Sequence, residues 1–171
     1  VVEPGAAAAA ESEPGGHVLV LATESTVNGG AYQQAILSLR PDLRVHARAC
    51  PLLVALAEEG EHEGEFARSV LRHYLHGHMA GDSISRPASV VLGCTHFPVF
   101  EDALAELLPA GTRIVDSAAT TAARVKAALA SEPGEASGQL TLLATDGVSR
   151  FRRVGSYFLG APIASVELVD L

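Results

Sequence analysis

The sequence predicts an α/β fold built on a mostly parallel sheet. Three observations carry that expectation. Short, continuous apolar runs such as Val18-Leu19-Val20-Leu21 and Val90-Val91-Leu92 have the length and β-branched content of strands buried on both faces. Segments of helical spacing separate these runs along the chain. One run leads into Gly93-Cys94-Thr95-His96-Phe97-Pro98 with a helical segment directly after it. In parallel α/β sheets, chemistry collects at the carboxyl ends of strands.

The elements follow in order. Ala6 to Ala10 begins a helix, which Glu13-Pro14-Gly15-Gly16 ends. His17 to Ala22 is a fully buried strand. Gly30 to Leu39 is a helix with Ala31, Ile36 and Leu39 apolar, closed by Pro41. Val45 to Ala49 is a second strand. Leu52 to Glu59 is a helix opened by Pro51, which suits a first helical position. Phe66 to Leu75 is a helix whose Phe66, Val70, Leu71 and Tyr74 fall near helical spacing. Ser89 to Leu92 is a buried strand, Pro98 to Leu108 a helix, Arg113 to Val115 a strand and Thr120 to Leu129 an Ala-rich helix. Ser131 to Gly138 is a polar surface loop or linker. Leu140 to Ala144, Ser149 to Phe158 and Ser165 to Val169 close the chain as strand, helix and strand.

Composition narrows the function. A chain of 171 residues, 48% of them hydrophobic, suits one domain or one domain plus part of another. A net charge of -8 argues against nucleic acid as a main partner, because phosphate binding needs a basic face. No apolar run is long enough to span a membrane. Val1-Val2-Glu3-Pro4 has no signal-like character and no initiator Met, so the expectation is that the natural start was removed or that the gene continues upstream. The two cysteines, Cys50 and Cys94, do not make a disulfide scaffold, although spacing alone leaves a bond between them open. A reducing, cytoplasmic setting is the expectation. His62, His73, His76 and His78 lack a Cys partner and read as a solvated face rather than a metal site.

The segment from Gly93 to Pro98 carries the chemistry. Gly93 permits a tight turn and close approach of a ligand to the backbone. Cys94 then stands at a strand's carboxyl end, before a helix N-terminus whose free N–H groups and dipole favour a thiolate or a substrate carboxylate. Thr95 adds a hydroxyl. His96 exchanges protons near neutral pH. Pro98 fixes the first helical turn. Elsewhere, Asp116-Ser117 reads as a helix cap rather than a catalytic pair. Cys50 reads as packing, and Glu58, Glu59, Glu61, Glu63 and Glu65 as an acidic face.

Gly93-Cys94-Thr95-His96-Phe97-Pro98 resembles the second catalytic-cysteine signature of bacterial glutamate racemases. Aspartate racemases, which are related, usually carry an acidic residue where His96 stands. Other segments resemble the same family in the same order. They are Val1 to Ala6, Leu21 to Val27 (with Ser25 where Gly is usual), Ala49-Cys50-Pro51-Leu52-Leu53-Val54 with Glu58-Glu59-Gly60, Val115 to Ala118, and Phe151 to Gly160.

The resemblance implies a cofactor-independent, two-base racemisation of glutamate, with no metal. One cysteine removes the α-proton on one face and a second delivers a proton on the other. It assigns Cys94 to the L-glutamate side, with His96 assisting it and contacting substrate, Thr95 binding substrate and Glu58 supporting His96. It sets Thr23 and Thr26 along the site. It further implies a cytoplasmic enzyme, a homodimer at full length, that feeds D-glutamate into peptidoglycan. The family's Ala-Cys-Asn-Thr-Ala and Asp-Ser-Gly motifs do not occur here and normally lie upstream. Residues 1–114 would then form the second racemase domain, and residues 115–171 would return to a first domain lacking its N-terminal part. The closing strands would be left without sheet partners. The competing expectations are another racemase of this superfamily and an inactive carboxylate- or protein-binding fragment.

Overall fold

The computed structural model describes residues 1–12, 15–78, 86–130 and 140–170. Its centre is a four-stranded parallel sheet of β1 (His17–Ala22), β2 (Arg44–Ala49), β3 (Ser89–Leu92) and β4 (Arg113–Asp116), in the order β2-β1-β3-β4. Val20 pairs with Ala47 on one side and Val91 on the other, and Val91 pairs onward with Val115. The chain steps outward from β1 to β2, then crosses back to place β3 on the opposite flank of β1. That reversal opens a crevice between the carboxyl ends of β1 and β3, where α/β sheets bind ligands.

Alternation along the central strands builds two cores. Leu19, Leu21, Val90 and Leu92 face one side. There they meet α4 (Pro51–Glu59), α5 (Gly64–Leu75), the 3-10 turn Phe97–Phe100 and α6 (Glu101–Leu107). Val18, Val20, Ala22 and Val91 face the other side. There they meet α1 (Val2–Ala9) and α3 (Ala31–Leu39) through Ala6, Ala9, Tyr32 and Ile36. β1 and β3 are buried at every residue, which explains their continuous apolar runs.

Several elements differ from expectation for identifiable reasons. The N-terminal helix starts at Val2 rather than Ala6. Thr23 caps an additional short helix, α2 (Glu24–Gly29), which Gly30 ends at φ 66°, so α3 begins at Ala31. Phe66 is 60% exposed. The buried stripe of α5 is Ala67, Val70, Leu71, Tyr74 and Leu75, a 3–4 spacing that leaves Phe66 off the face. The helix expected from Pro98 is the 3-10 turn followed by α6. The helix expected from Thr120 is α7 (Ser117–Leu129), which starts three residues earlier because Asp116 Oδ1 accepts from Ala118 N at 2.7 Å. The linker at 131–138 lies outside the described residues, as do Glu13 and Pro14.

The C-terminal segment holds α8 (Val148–Leu159) and two strands shorter than expected, β5 (Leu143–Ala144) and β6 (Glu167–Leu168). These strands were expected to lack partners. They pair with each other instead, in parallel and apart from the main sheet, through Leu143↔Glu167 and Ala144↔Leu168. Leu143 and Leu168 of these strands stay exposed, as do Phe151 and Tyr157 of α8 in part. The expected boundary after residue 114 falls inside β4, whose Val115 and Asp116 remain in register with Val91 and Leu92.

Candidate functional site

The site grows from the end of β3. Gly93 N donates to Leu21 O at 2.8 Å, tying the turn to the neighbouring strand. A Cβ at Gly93 would stand 3.0 Å from Tyr32 Cε2, 3.1 Å from Leu21 O and 3.2 Å from Ala22 Cβ. A side chain here would have to push these neighbours aside, and the next residue is delivered at the crevice. That residue, Cys94, is half-buried against the core behind the sheet. Its carbonyl accepts from Phe97 N at 3.1 Å and starts the 3-10 turn, which Pro98 favours.

Three side chains from two distant segments then line up. Cys94 Sγ lies 3.8 Å from His96 Nδ1. His96 Nε2 lies 3.2 Å from Glu58 Oε1. The other carboxylate oxygen of Glu58 accepts from Arg150 Nη2. The His96 ring stands edge-on to Phe158, with centroids 5.5 Å apart and planes at 90°. Glu58 occupies the last turn of α4, which Gly60 closes in a left-handed conformation at φ 78°. A cavity of about 620 Å³ opens here, lined by Glu58, Thr95, His96, Arg150, Phe151 and Phe158 among others. Thr95 also borders a second cavity of about 500 Å³ with Ser117, Thr121 and Lys126.

Electrostatics assign states to this line. The hydrogen bond from Arg150 holds the Glu58 carboxyl below its ordinary range, against a smaller cost of burial. Glu58 is therefore ionised at neutral pH and only accepts hydrogen bonds. His96 Nε2 must then carry the proton in the neutral ring, which leaves the Nδ1 lone pair toward Cys94. Burial raises the Cys94 thiol above its ordinary value, and the backbone N–H of His96 offsets only part of that. This corrects the expectation that the helix terminus would favour a resting thiolate. The turn after Cys94 is only a four-residue 3-10 segment, and desolvation is the largest influence on the thiol. At rest the thiol holds its proton, with His96 Nδ1 3.8 Å from the sulfur.

The structure therefore brings Cys94, His96 and Glu58 together and sets Thr95 on the cavity wall. Thr23 and Thr26 do otherwise. Their hydroxyls lie 2.9 Å apart at the start of α2, where Thr23 accepts from Thr26 N. They stand at the carboxyl end of β1, beside the crevice. Cys50 is fully buried, donates to Arg48 O at 3.4 Å and is pushed up to about 12 by burial. Both cysteines are free thiols. Ser117 is buried and donates to Leu92 O, while Asp116 caps α7.

Arg150, Arg153, Tyr32 and Phe158 were not singled out from the sequence. The three-residue spacing of Arg150 and Arg153 was the available signal, since it places both on one face of a helix. His17, His46 and His78 form a separate cluster at the other end of the sheet, with ring centroids 5.4 to 5.9 Å apart. Among the described residues, no group of three or more His, Cys, Asp or Glu side chains is arranged to hold a metal ion. No helix among them is long and apolar enough to cross a membrane.

Comparison with known proteins adds to this geometry. Residues 1–125 match the family model for Asp/Glu/Hydantoin racemase. A glutamate racemase of Geobacter metallireducens is 38% identical over 178 residues, an alignment covering 100% of this chain and 63% of that protein. The structure of glutamate racemase from Thermus thermophilus in complex with beta-chloro-D-alanine aligns at TM-score 0.79 and 35% identity, covering 99% of this chain and 61% of that one. The RacE1 isoform of Bacillus anthracis glutamate racemase aligns at TM-score 0.81 and 28% identity, covering 99% and 63%. The chain thus spans about 63% of the length of the Geobacter relative it matches.

Proposed function

The chain belongs to the Asp/Glu/hydantoin racemase family, and from that premise we propose that it supplies one acid–base half of a glutamate racemase active site. Cys94 is the acid–base residue, and His96 and Glu58 set its proton. The observation that carries the reading is the line Cys94–His96–Glu58, whose members come from β3's end and the last turn of α4. The names of relatives at 34–38% identity support glutamate as the substrate.

The chemistry follows from the states derived above. His96 Nδ1 takes the thiol proton and leaves a thiolate beside an imidazolium, which ionised Glu58 stabilises through Nε2. The thiolate abstracts the α-proton of L-glutamate; in the reverse direction the thiol returns one. The α-proton is weakly acidic, so hydrogen-bond donors must stabilise the carbanion-like transition state. Thr95 and the backbone N–H groups following Cys94 suit that role, and Thr23 and Thr26 edge the same crevice. The opposite face needs a second acid. Cys50 is buried beneath the sheet's end and does not fill that role. We assign it to a cysteine on an upstream segment, which would also complete the domain to which residues 115–171 belong. In that reading residues 1–114 are the second racemase domain. The complete enzyme is a cytoplasmic homodimer supplying D-glutamate for peptidoglycan.

The test is circular dichroism of L-glutamate over time. The chain alone should leave the signal unchanged. Addition of an upstream segment carrying the first cysteine should make it decay. Racemisation by the chain alone would overturn the two-cysteine reading.

A further inference from the structure

Glu58 sits near the surface, in the last turn of a helix, where a carboxylate ordinarily samples several rotamers. Here α8 holds it from three directions. Arg150 Nη2 donates to Oε2, the oxygen that His96 does not use. Arg153 Nη1 donates to the Glu58 carbonyl at 2.9 Å. The Tyr157 ring packs against the helix end, so close that a Cβ at Gly60 would stand 3.3 Å from its Cε2 and Cζ. Phe158, from the same helix, meets the edge of the His96 ring. Each carboxylate oxygen thus has one task. A carboxylate fixed at one oxygen has its plane set, and that plane aims the other oxygen at His96 Nε2.

We propose that Arg150 is a positioning residue: through Glu58 it fixes His96 with Nε2–H bound to the carboxylate and the Nδ1 lone pair turned to the Cys94 thiol. This rests on the reading of Cys94 and His96 as the acid–base pair and deepens it. It assigns a role in catalysis to a C-terminal helix that reaches the acid–base pair through Glu58, 92 residues away in the chain. Arg150 suits this role as a permanently charged donor placed on the one carboxylate oxygen that His96 leaves open.

The experiment needs no turnover, so it stands apart from whether the chain racemises anything. Nuclear magnetic resonance of the chain follows the His96 Nε2-bound proton, identified by its disappearance in His96→Asn. In the wild type it should be displaced downfield and protected from exchange with water, the signature of a hydrogen bond to a carboxylate. Arg150→Gln should lose that protection as fully as Glu58→Gln does, with thermal unfolding unchanged. Arg150→Lys should recover part of it. Alkylation of Cys94 by iodoacetamide at neutral pH should slow severalfold in Arg150→Gln, with its pH midpoint moved upward. A protected proton that persists in Arg150→Gln overturns the proposal. Equal loss in Arg150→Gln and Arg150→Lys also overturns it, by assigning the effect to a loosened helix.

Discussion

Cys94 Sγ lies 3.8 Å from Nδ1 of His96, and the opposite nitrogen of that ring lies 3.2 Å from Glu58. The ring therefore connects a half-buried thiol to an ionised carboxylate. Burial keeps the thiol protonated at rest, while Glu58 stabilises positive charge on the ring once the proton moves. A group that must both remove and return a proton is well served by this balance, because neither form is trapped.

Thiol reactivity should separate the two cysteines. Iodoacetamide should modify Cys94 in the folded chain and leave Cys50 unmodified until denaturant is added. Both thiols are raised by burial, but Cys50 is fully buried and raised to about 12. Mass spectrometry of digests reads the outcome. Labelling of native Cys50 at the rate of Cys94 would contradict the assignment of Cys50 to packing.

Gly93→Ala should destabilise the fold. The added methyl meets Tyr32, Ala22 and the Leu21 carbonyl, and that carbonyl is held by the hydrogen bond from Gly93 N. Overpacking of this kind costs about 1–3 kcal/mol. Denaturant unfolding should show the loss with an unchanged m-value. Wild-type stability in the variant would mean that Tyr32 yields freely.

Acid should weaken the chain through its histidine cluster before it protonates carboxylates. Burial first, then His46, His17 and Arg48, hold His78 below its ordinary 6.5. The unfolded chain binds the proton more readily, so stability rises with pH through this window. The contribution is complete above about 6.5 and is lost as pH falls through the lower folded value. His78→Gln should flatten the dependence of the unfolding midpoint between pH 5 and 7. An unaltered slope would place the effect elsewhere.

In a protein extended by the upstream segment, His96→Asn should slow L-to-D turnover more than D-to-L. On the proposed reading, His96 serves Cys94 directly and Cys94 works on the L side. The equilibrium between enantiomers is fixed, so the two values of kcat/KM must fall by one factor, and the asymmetry appears as a split between kcat and KM. Equal losses in both turnover numbers at constant KM would make His96 a general substrate contact.

The sheet was legible in the sequence because its central strands are buried on both faces and therefore continuously apolar. The end of β3 was legible too, since a Gly-Cys-Thr-His turn before a helix has few structural uses. Phe66 misled because spacing was counted from the largest apolar residue, while the buried stripe starts at the smaller Ala67. The short α2 escaped because its cap, Thr23, and its stop, Gly30, bracket only six residues with none buried. Arg150 was missed for a different reason, although its three-residue spacing from Arg153 was visible. Its partner lies 92 residues away, and nothing local marks a surface arginine as one side of a long-range pair.

The central claim is that Cys94 is the acid–base group acting on glutamate. Its most direct measurement is the decay of L-glutamate circular dichroism under the protein extended by the upstream segment, beside its Cys94→Ser counterpart. A hydroxyl is far less acidic than a thiol and is nearly the same size. The account predicts that the unsubstituted protein racemises glutamate and that Cys94→Ser loses on the order of 10²–10⁴-fold or more in rate while unfolding at the same temperature. Racemisation by Cys94→Ser at the unsubstituted rate would contradict it.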